Sequence, residues 1–305
     1  MLSTVVFDQP GRFFKGNLHT HSTRSDGRYE PAEVCRIYRD AGYDFIALTD
    51  HFLPQYEFPV TDTSAYRTDS FTTIFGAETH VPATALGEIW HILAVGLPLD
   101  FTPTRDGETA PEIASRAAAA GAFVSIVHPS WYGITVDDAE SITAAHSVEI
   151  YNHTSAVKND RGDGWALLDQ LLARGRRLTA CATDDAHFLF DDAFGGWVMV
   201  QAAAAEPGLL VESLRQGRYY SSQGPTIQSI VYDQDAIEIE CSEALAIMVL
   251  GRGSKAECEL GSGLRRARLP LGRLRRGGHA RVVVVDEHGR KAWSNPIWFD
   301  GGAAA

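Results

Sequence analysis

Two histidines stand two residues apart in the stretch NLHTHSTRSDG, His19 and His21, with Asp26 five residues beyond the second. In an extended chain, residues two apart face the same side, so this pair points one way. The arrangement recurs along the chain. His51 follows the apolar run FIALTD, Glu78 ends TIFGA, His128 ends FVSIV, Asn152 and His153 end VEIY, and Asp185 and His187 lie at and just past the end of LTACATD. Each time, apolar residues come first and ionisable ones follow. Such side chains are seldom buried unless they are paired or bound to metal. Imidazole and carboxylate without thiolate suits zinc, manganese or iron. These are too many ligands for one tetrahedral ion, so two or three divalent ions bridged by a carboxylate are expected. Clusters of that kind activate water and clamp the oxygens of a phosphoryl group.

The elements that must position these residues alternate. From Phe13 to about Gly217, strand-like runs (RFFKGNLHTH, YDFIALTDH, FTTIFGAETH, IWHILAVG, AFVSIVHP, SVEIYNH, RLTACATDDAH, GGWVMVQA) are interleaved with helix-like ones. PAEVCRIYRDAG has proline in its first turn and glycine as its stop. PEIASRAAAAG, TVDDAESITAAH, DGWALLDQLLARG and PGLLVESLRQG supply further helices. Strand–helix repetition predicts a largely parallel sheet covered by helices. Seven or eight such units suit a closed (β/α) barrel, whose C-terminal strand ends form the reactive mouth.

After Gly224-Pro225 the pattern changes to short alternating strands with no helical segment between them, which predicts a small antiparallel β-sandwich. The expected domains are therefore 1–224 and 225–305, with the GGAAA end as a frayed tail.

The net charge of −12 is uneven: residues 225–305 carry 11 Lys and Arg against 10 Asp and Glu, and the rest carries 16 against 29. So acidic a unit suits the holding of cations and argues against a nucleic-acid partner. The start of the chain has no charged segment followed by a long apolar run, so no leader is expected. No apolar run approaches the roughly 18 residues of a membrane helix. Cys35, Cys181, Cys241 and Cys258 form no C-x-x-C pair, which fits buried thiols in a reduced cytoplasm.

The segments NLHTHSTRSDG, FIALTDH, GAE, HIL, VHP and TDDAH resemble, in order and across about residues 14–190, the PHP (polymerase and histidinol phosphatase) family. The resemblance implies a distorted seven-stranded (β/α) barrel, a trinuclear metal site and hydrolysis of phosphate esters. It assigns His19, His21, Asp26, His51, Glu78, His91, His128, Asp185 and His187 as metal ligands, with Glu78 bridging and Asp50 orienting a ligand from behind. The run EIYNHTSAVKNDRGDGWALLDQLLARG and the β-rich tail ending DEHGRKAWSNPIWF look like the branch related to carbaryl hydrolase. An aryl carbamate or carboxylic ester therefore stands beside a phosphate as substrate.

The expected reaction is metal-assisted hydrolysis of a small phosphorylated molecule, with a hydroxide bridging two ions attacking phosphorus. No G-x-S-x-G supplies a serine nucleophile, and no P-loop or Rossmann fingerprint is present. Arg24 is a candidate for the substrate phosphate, or a solvated loop arginine. His153 is a candidate proton donor to the leaving oxygen, or a strand-end cap. Asp184 would orient its neighbour Asp185. Lys158 and Arg161 fall in an expected rim loop within reach of an anionic substrate, or serve as plain surface charges. A metal-stabilised binding module without catalysis is the remaining alternative. Composition says nothing of oligomeric state.

Overall fold

The computed structural model describes residues 3–299; the chain's end, where a frayed tail is expected, lies outside them. Strands β1 (Thr4–Val5) and β2 (Arg12–Asn17) lead into helix α1 (Pro31–Asp40). Strands β3 (Phe45–Leu48), β4 (His51–Phe52), β5 (Thr72–Val81) and β6 (Trp90–Val95) follow. Then come α2 (Ala110–Ala119), β7 (Phe123–Ile126), α3 (Val136–Ser141), β8 (Ser147–Asn152), α4 (His153–Asn159) and α5 (Trp165–Ala173). Strands β9 (Thr179–Thr183) and β10 (Trp197–Ala202), helix α6 (Pro207–Arg215) and β11 (Tyr219–Ser222) complete the first part.

The helices start and stop where their sequences dictate. Pro31 opens α1, where its missing N–H costs nothing, and Gly42 follows its end at φ 79°. The Thr109 and Glu112 side chains form a capping box at α2, and Thr135 and Asp138 form one at α3. Asn152 caps α4 by accepting from the Ser155 N–H at 2.8 Å. That helix replaces the loop expected around Lys158.

Strands β2, β3 and β5 run parallel, with β4 also parallel to β5, and β7, β8 and β9 form a second parallel set. Between the sets β6 runs antiparallel to both β5 and β7. The link from β5 to β6, residues 82–89, is too short for the crossover a parallel neighbour requires. The sheet does not close into the expected barrel. The free edge of β2 is taken by antiparallel β10, and β9 forms no ladder with β2; the chain just past each strand is joined by an isolated bridge, Thr20 to Ala186.

The tail contains β12 (Ile227–Tyr232), β13 (Ala236–Gly251), β14 (Ala256–Pro270), a helical turn α7 (Gly272–Arg275), β15 (His279–Val285), β16 (Lys291–Ser294) and β17 (Ile297–Trp298). It is antiparallel, as expected, but it does not stand apart as a sandwich. Strand β13 is long enough to pair with β12 along its first half and β15 along its second, while β14 follows both halves. Two strands expected from AIEIEC and AIMVLG are thus one, and α7 is a helical turn where none was expected. Strand β11 pairs with β16, and β1 pairs with β12, so backbone ladders tie the tail to the first part.

One apolar core, including Ile92, Ile113, Ile126, Val148 and Leu168, lies between the curled sheet and its helices, and Val283 and Trp293 of the tail join it. A second, around Ile230, Ile239, Ile247 and Val282, belongs to the tail. Arg281 locks the two parts together. Its guanidinium makes two bonds to Asp169, at 2.7 and 3.1 Å, and lies 3.8 Å from the centre of the Trp165 ring. No helix among the described residues is long and apolar enough to cross a membrane.

Candidate metal centre

Strand register assembles the site. The parallel strands deliver residues at their C-terminal ends, whereas β6, being antiparallel, delivers His91 near its start to the same rim. His51 of β4 lies directly opposite Glu78 of β5, and His91 of β6 lies opposite His80. Glu78 and His80 are two apart on one strand, so all four share a face. Their ligand atoms lie within 4.8 Å of one another. Three further groups meet the same limit: His21, Asp26, His51 and His187; His19, His21 and Asp185; and His19, Glu78 and His128. All nine residues expected as ligands are therefore brought together. His80 is a tenth that the sequence reading passed over, although its spacing from Glu78 in ETH repeats that of His19 and His21.

The loop after β2 is pinned so that Asp26 reaches the others. Asp50 accepts from the Ser22 N–H and from the Ser22 and Ser25 hydroxyls, at 2.7, 2.8 and 2.7 Å. Gly27 folds back on the loop's own start, where a Cβ would lie 2.6 Å from the His21 carbonyl carbon. Two of the assembled residues hold strained backbone: His128 at φ 29° and Asp185 at φ 58°. A 2.6 Å bond from the His128 N–H to buried Glu149 holds the first. The second is held by the Asp185 N–H bonding to the His19 carbonyl, at 2.9 Å.

Hydrogen bonds on the far side of three of these rings select which nitrogen faces inward. Nδ1 of His19 donates to Glu149 at 3.1 Å, Nδ1 of His80 to the Trp90 carbonyl at 3.1 Å, and Nδ1 of His187 to the Asp185 carbonyl at 2.8 Å. With these protons so placed, each Nε2 turns a lone pair to the cluster, the usual posture of a ligating imidazole. Glu149 is fully buried and was not anticipated from the sequence. It also accepts from Asn152 at 2.9 Å and from the Thr183 hydroxyl.

Glu78 is central. Its Oε1 lies 2.7 Å from His91 Nδ1 and 2.9 Å from His128 Nε2. His51 Nδ1 approaches its Oε2 to 2.6 Å, but off the hydrogen-bonding direction, so that oxygen has no hydrogen-bond partner. His19 Nε2 is likewise buried and unpartnered, 3.3 Å from an Asp185 oxygen. Leaving buried polar atoms unmade is costly. Unpartnered atoms within a hard-oxygen and imidazole donor set fit divalent cations.

The charges are strongly coupled. Burial pushes the His21 imidazole down to about 3, helped by His187 and His51, so it is neutral. Burial acts the same way on His80 and His91 and wins there too. At His51 burial is outweighed by Glu78 and Asp26, which raise it to about 11. His19 is also raised, because Asp185, Glu78 and Glu149 overcome its burial. Glu78 and Asp185 stay below the usual carboxylate range despite burial, held there by the surrounding histidines.

A cavity of about 210 Å³ opens onto this cluster, walled also by Trp131, Ser155 and Lys158. Arg24 and His153, expected to act on substrate, and Asp184, expected to orient Asp185, do not line this cavity. Arg24 is exposed and does not line the cavity, because Asp50 folds the loop so that Asp26 points inward instead. His153 opens α4 rather than ending a strand. Its ring accepts from or donates to the Tyr151 hydroxyl at 2.9 Å and covers Gly195, where a Cβ would lie 2.0 Å from it. Asp184 spends its oxygens on the N–H groups of Phe194, Gly195 and Gly196 and on the Tyr38 hydroxyl. It anchors the loop after His187, and burial raises it to about 6.

Comparison with solved structures bears on the fold. A two-domain protein from Bacteroides vulgatus, containing a predicted PHP-like metal-dependent phosphoesterase, superposes over 92% of this chain and 94% of its own, at 17% identity and a TM-score of 0.53. The two share a fold. Because the match spans both chains almost entirely, it includes the β-rich tail. A chain from Bifidobacterium adolescentis (15% identity, 56% of this chain and 87% of that one, TM-score 0.42) matches less well. So does an amidohydrolase from Chromobacterium violaceum with bound sulfate and no metal (15%, 58% and 89%, 0.43). At those scores the likeness decides nothing. No family model matches the sequence, and no curated protein does.

Proposed function

We propose that the chain is a metal-dependent phosphoesterase of the PHP type, acting on a small phosphate ester at a centre of two or three divalent ions. The observation that carries this reading is the set of inward-facing nitrogens and oxygens left without partners, His19 Nε2 and Glu78 Oε2 above all, among four overlapping ligand groups. Manganese, zinc and iron suit the donor set. His19, His21 and Asp185 would hold one ion, and His51, Glu78, His80 and His91 a second. Asp26 and His187, with His21 and His51, would hold a third, while Glu78 spans two groups through His128. Divalent ions bound there supply Lewis acidity, lowering the pKa of a coordinated water and drawing charge from a phosphoryl oxygen.

The protein's own residues position and select. Glu149, Trp90 and the Asp185 carbonyl fix the tautomers of three rings. The small cavity admits a phosphoryl group and a modest leaving group but not a duplex, and the acidic surface repels polyanions. The unit 1–224 would carry every ligand, with residues 225–299 as its buttress, in a cytoplasm where four free thiols stay reduced.

The test is turnover of p-nitrophenyl phosphate, bis-p-nitrophenyl phosphate and naphthyl carbamate by protein loaded with Mn²⁺ or Zn²⁺. Hydrolysis of a phosphate ester, abolished by His21→Ala, is expected. Carbamate cleavage without phosphate cleavage would make the chain an ester or carbamate hydrolase, and no turnover by loaded protein would leave a binding module.

A further inference from the structure

The cavity's walls point to the kind of phosphate ester it takes. Lys158 is the one lysine or arginine among its lining residues. It is exposed, and no carboxylate or other polar group of the described residues bonds to it. Ser155 lies three residues earlier on α4, which puts it on the same face of the helix. It is 3% exposed, lines the cavity, and its hydroxyl has no hydrogen-bond partner among the described residues, whereas the neighbouring Thr154 hydroxyl is committed to the Asp185 carbonyl at 2.8 Å. Asn152 fixes this helix to the cluster, because its side chain caps α4 and donates to Asp185 at 3.0 Å and to Glu149 at 2.9 Å. The ammonium and the hydroxyl are thus presented from a rigid support.

Another wall is aromatic. Trp131 is 38% exposed, unusually open for so large a ring. It stands edge-on to His91 and His128, with centroids 5.4 and 5.3 Å away. Its N–H bond to the His128 carbonyl, at 2.9 Å, and the bond its own carbonyl receives from Arg161, at 3.1 Å, hold its backbone in place. Arg161 is thereby occupied, and Arg24 lies outside the cavity.

We propose that Ser155 and Lys158 bind a phosphoryl oxygen not used by the metal centre, and that Trp131 receives a planar leaving group. The preferred substrate is then a phosphate monoester of an aromatic alcohol. A monoester is close to a dianion at pH 7, so an extra cation favours it over a singly charged diester. A flat ring stacks on indole better than an aliphatic chain does. This rests on the phosphoesterase reading.

The experiment uses the full metal-loaded chain and the variants Lys158→Ala, Lys158→Arg, Ser155→Ala and Trp131→Ala. Binding of phenylphosphonate and methylphosphonate, which are not hydrolysed, is measured by calorimetry. KM and kcat are measured for phenyl phosphate and bis-p-nitrophenyl phosphate. Lys158→Ala is expected to weaken phenylphosphonate about 10- to 100-fold, the scale of a charge-assisted hydrogen bond. It should raise KM for the monoester far more than for the diester, and Lys158→Arg should restore most of the loss. Trp131→Ala should weaken phenylphosphonate about 5-fold or more while leaving methylphosphonate within about 2-fold. Equal losses on monoester and diester, or no loss at all, would overturn the proposal while wild-type phosphatase activity kept the broader reading intact. Lys158-dependent binding without any phosphate hydrolysis would leave an anion-binding contact but overturn the substrate assignment together with the activity. Neither binding nor hydrolysis would remove both.

Discussion

Replacing Glu149 with glutamine should disable a metal ligand that it does not itself provide. Glu149 is fully buried, and each oxygen faces two donors: the His19 Nδ1 and the Thr183 hydroxyl on one side, the His128 N–H and the Asn152 amide on the other. An amide must turn its NH₂ toward one of those pairs. The backbone N–H of His128 cannot accept, and Asn152 cannot flip without losing its bond from the Ser155 N–H. Thr183 can rotate its hydroxyl, and His19 can change tautomer. The NH₂ group therefore settles beside His19, which accepts at Nδ1 and so carries its proton on Nε2. That nitrogen is the one facing Asp185 and Glu78, and a protonated nitrogen cannot bind metal. The affinity of the site built on His19 should fall about 10- to 100-fold, or about 1.4–2.7 kcal/mol. Circular dichroism should show the fold intact, since donors and acceptors still match. The assay is competition against a chelator of known affinity, with bound metal counted by elemental analysis. Unchanged affinity in Glu149→Gln would refute the tautomer argument.

Other expectations follow from burial and charge. In chelated protein, His19 and His51 hold protons more tightly than free imidazole does, so the stability they add is present below pH 6.5 and is lost as pH rises, toward about 11 for His51. His21, His80 and His91 are depressed, so their contribution is present above pH 6.5 and is lost as pH falls. Urea midpoints of the chelated protein should peak near pH 6.5, and a steady rise to pH 9 would contradict these assignments. Metal uptake at pH 7 should release protons from His19 and His51, read by calorimetry in buffers of different ionisation enthalpy; uptake without release would be inconsistent. Burial pushes Cys35 and Cys181 up to about 12 and Cys241 to about 11, whereas Cys258 is exposed. A thiol reagent at pH 8 should therefore label one cysteine in native protein and four after denaturation. Truncation after Gly224 removes the Arg281 lock and the Asn295 oxygen that accepts from the Ala180 N–H at 2.8 Å. The shortened chain should be insoluble, and a soluble, active fragment would show that the tail is dispensable.

Much of the site was legible because strands impose a two-residue period on whatever they carry. His19 with His21, and Asp185 with His187, announce themselves in that way, and apolar runs mark where each strand ends. His80 was hidden by the same rule, since it sits within a run that already ended in a recognised residue. Glu149 left no local signal. It is one carboxylate inside the buried strand SVEIYN, and its meaning comes from His19, 130 residues earlier. The reversed direction of β6 follows from a short link that reads equally well as an ordinary loop. For Arg24, His153 and Asp184, residue type suggested chemistry. Orientation is set by partners distant in sequence, such as the Gly195–Gly196 backbone that claims Asp184. The open sheet edge filled by β10 could not be read from alternation alone, which gives the order of elements but not which edges meet.

The central claim is a multi-metal centre built on register-matched strand ends. Elemental analysis of the purified chain, loaded with Mn²⁺ or Zn²⁺ and dialysed, tests it most directly. Two or three ions per chain are expected, with His21→Ala or Glu78→Gln losing at least one while remaining folded. One ion or none in correctly folded wild-type protein, or full occupancy in both variants, would contradict it.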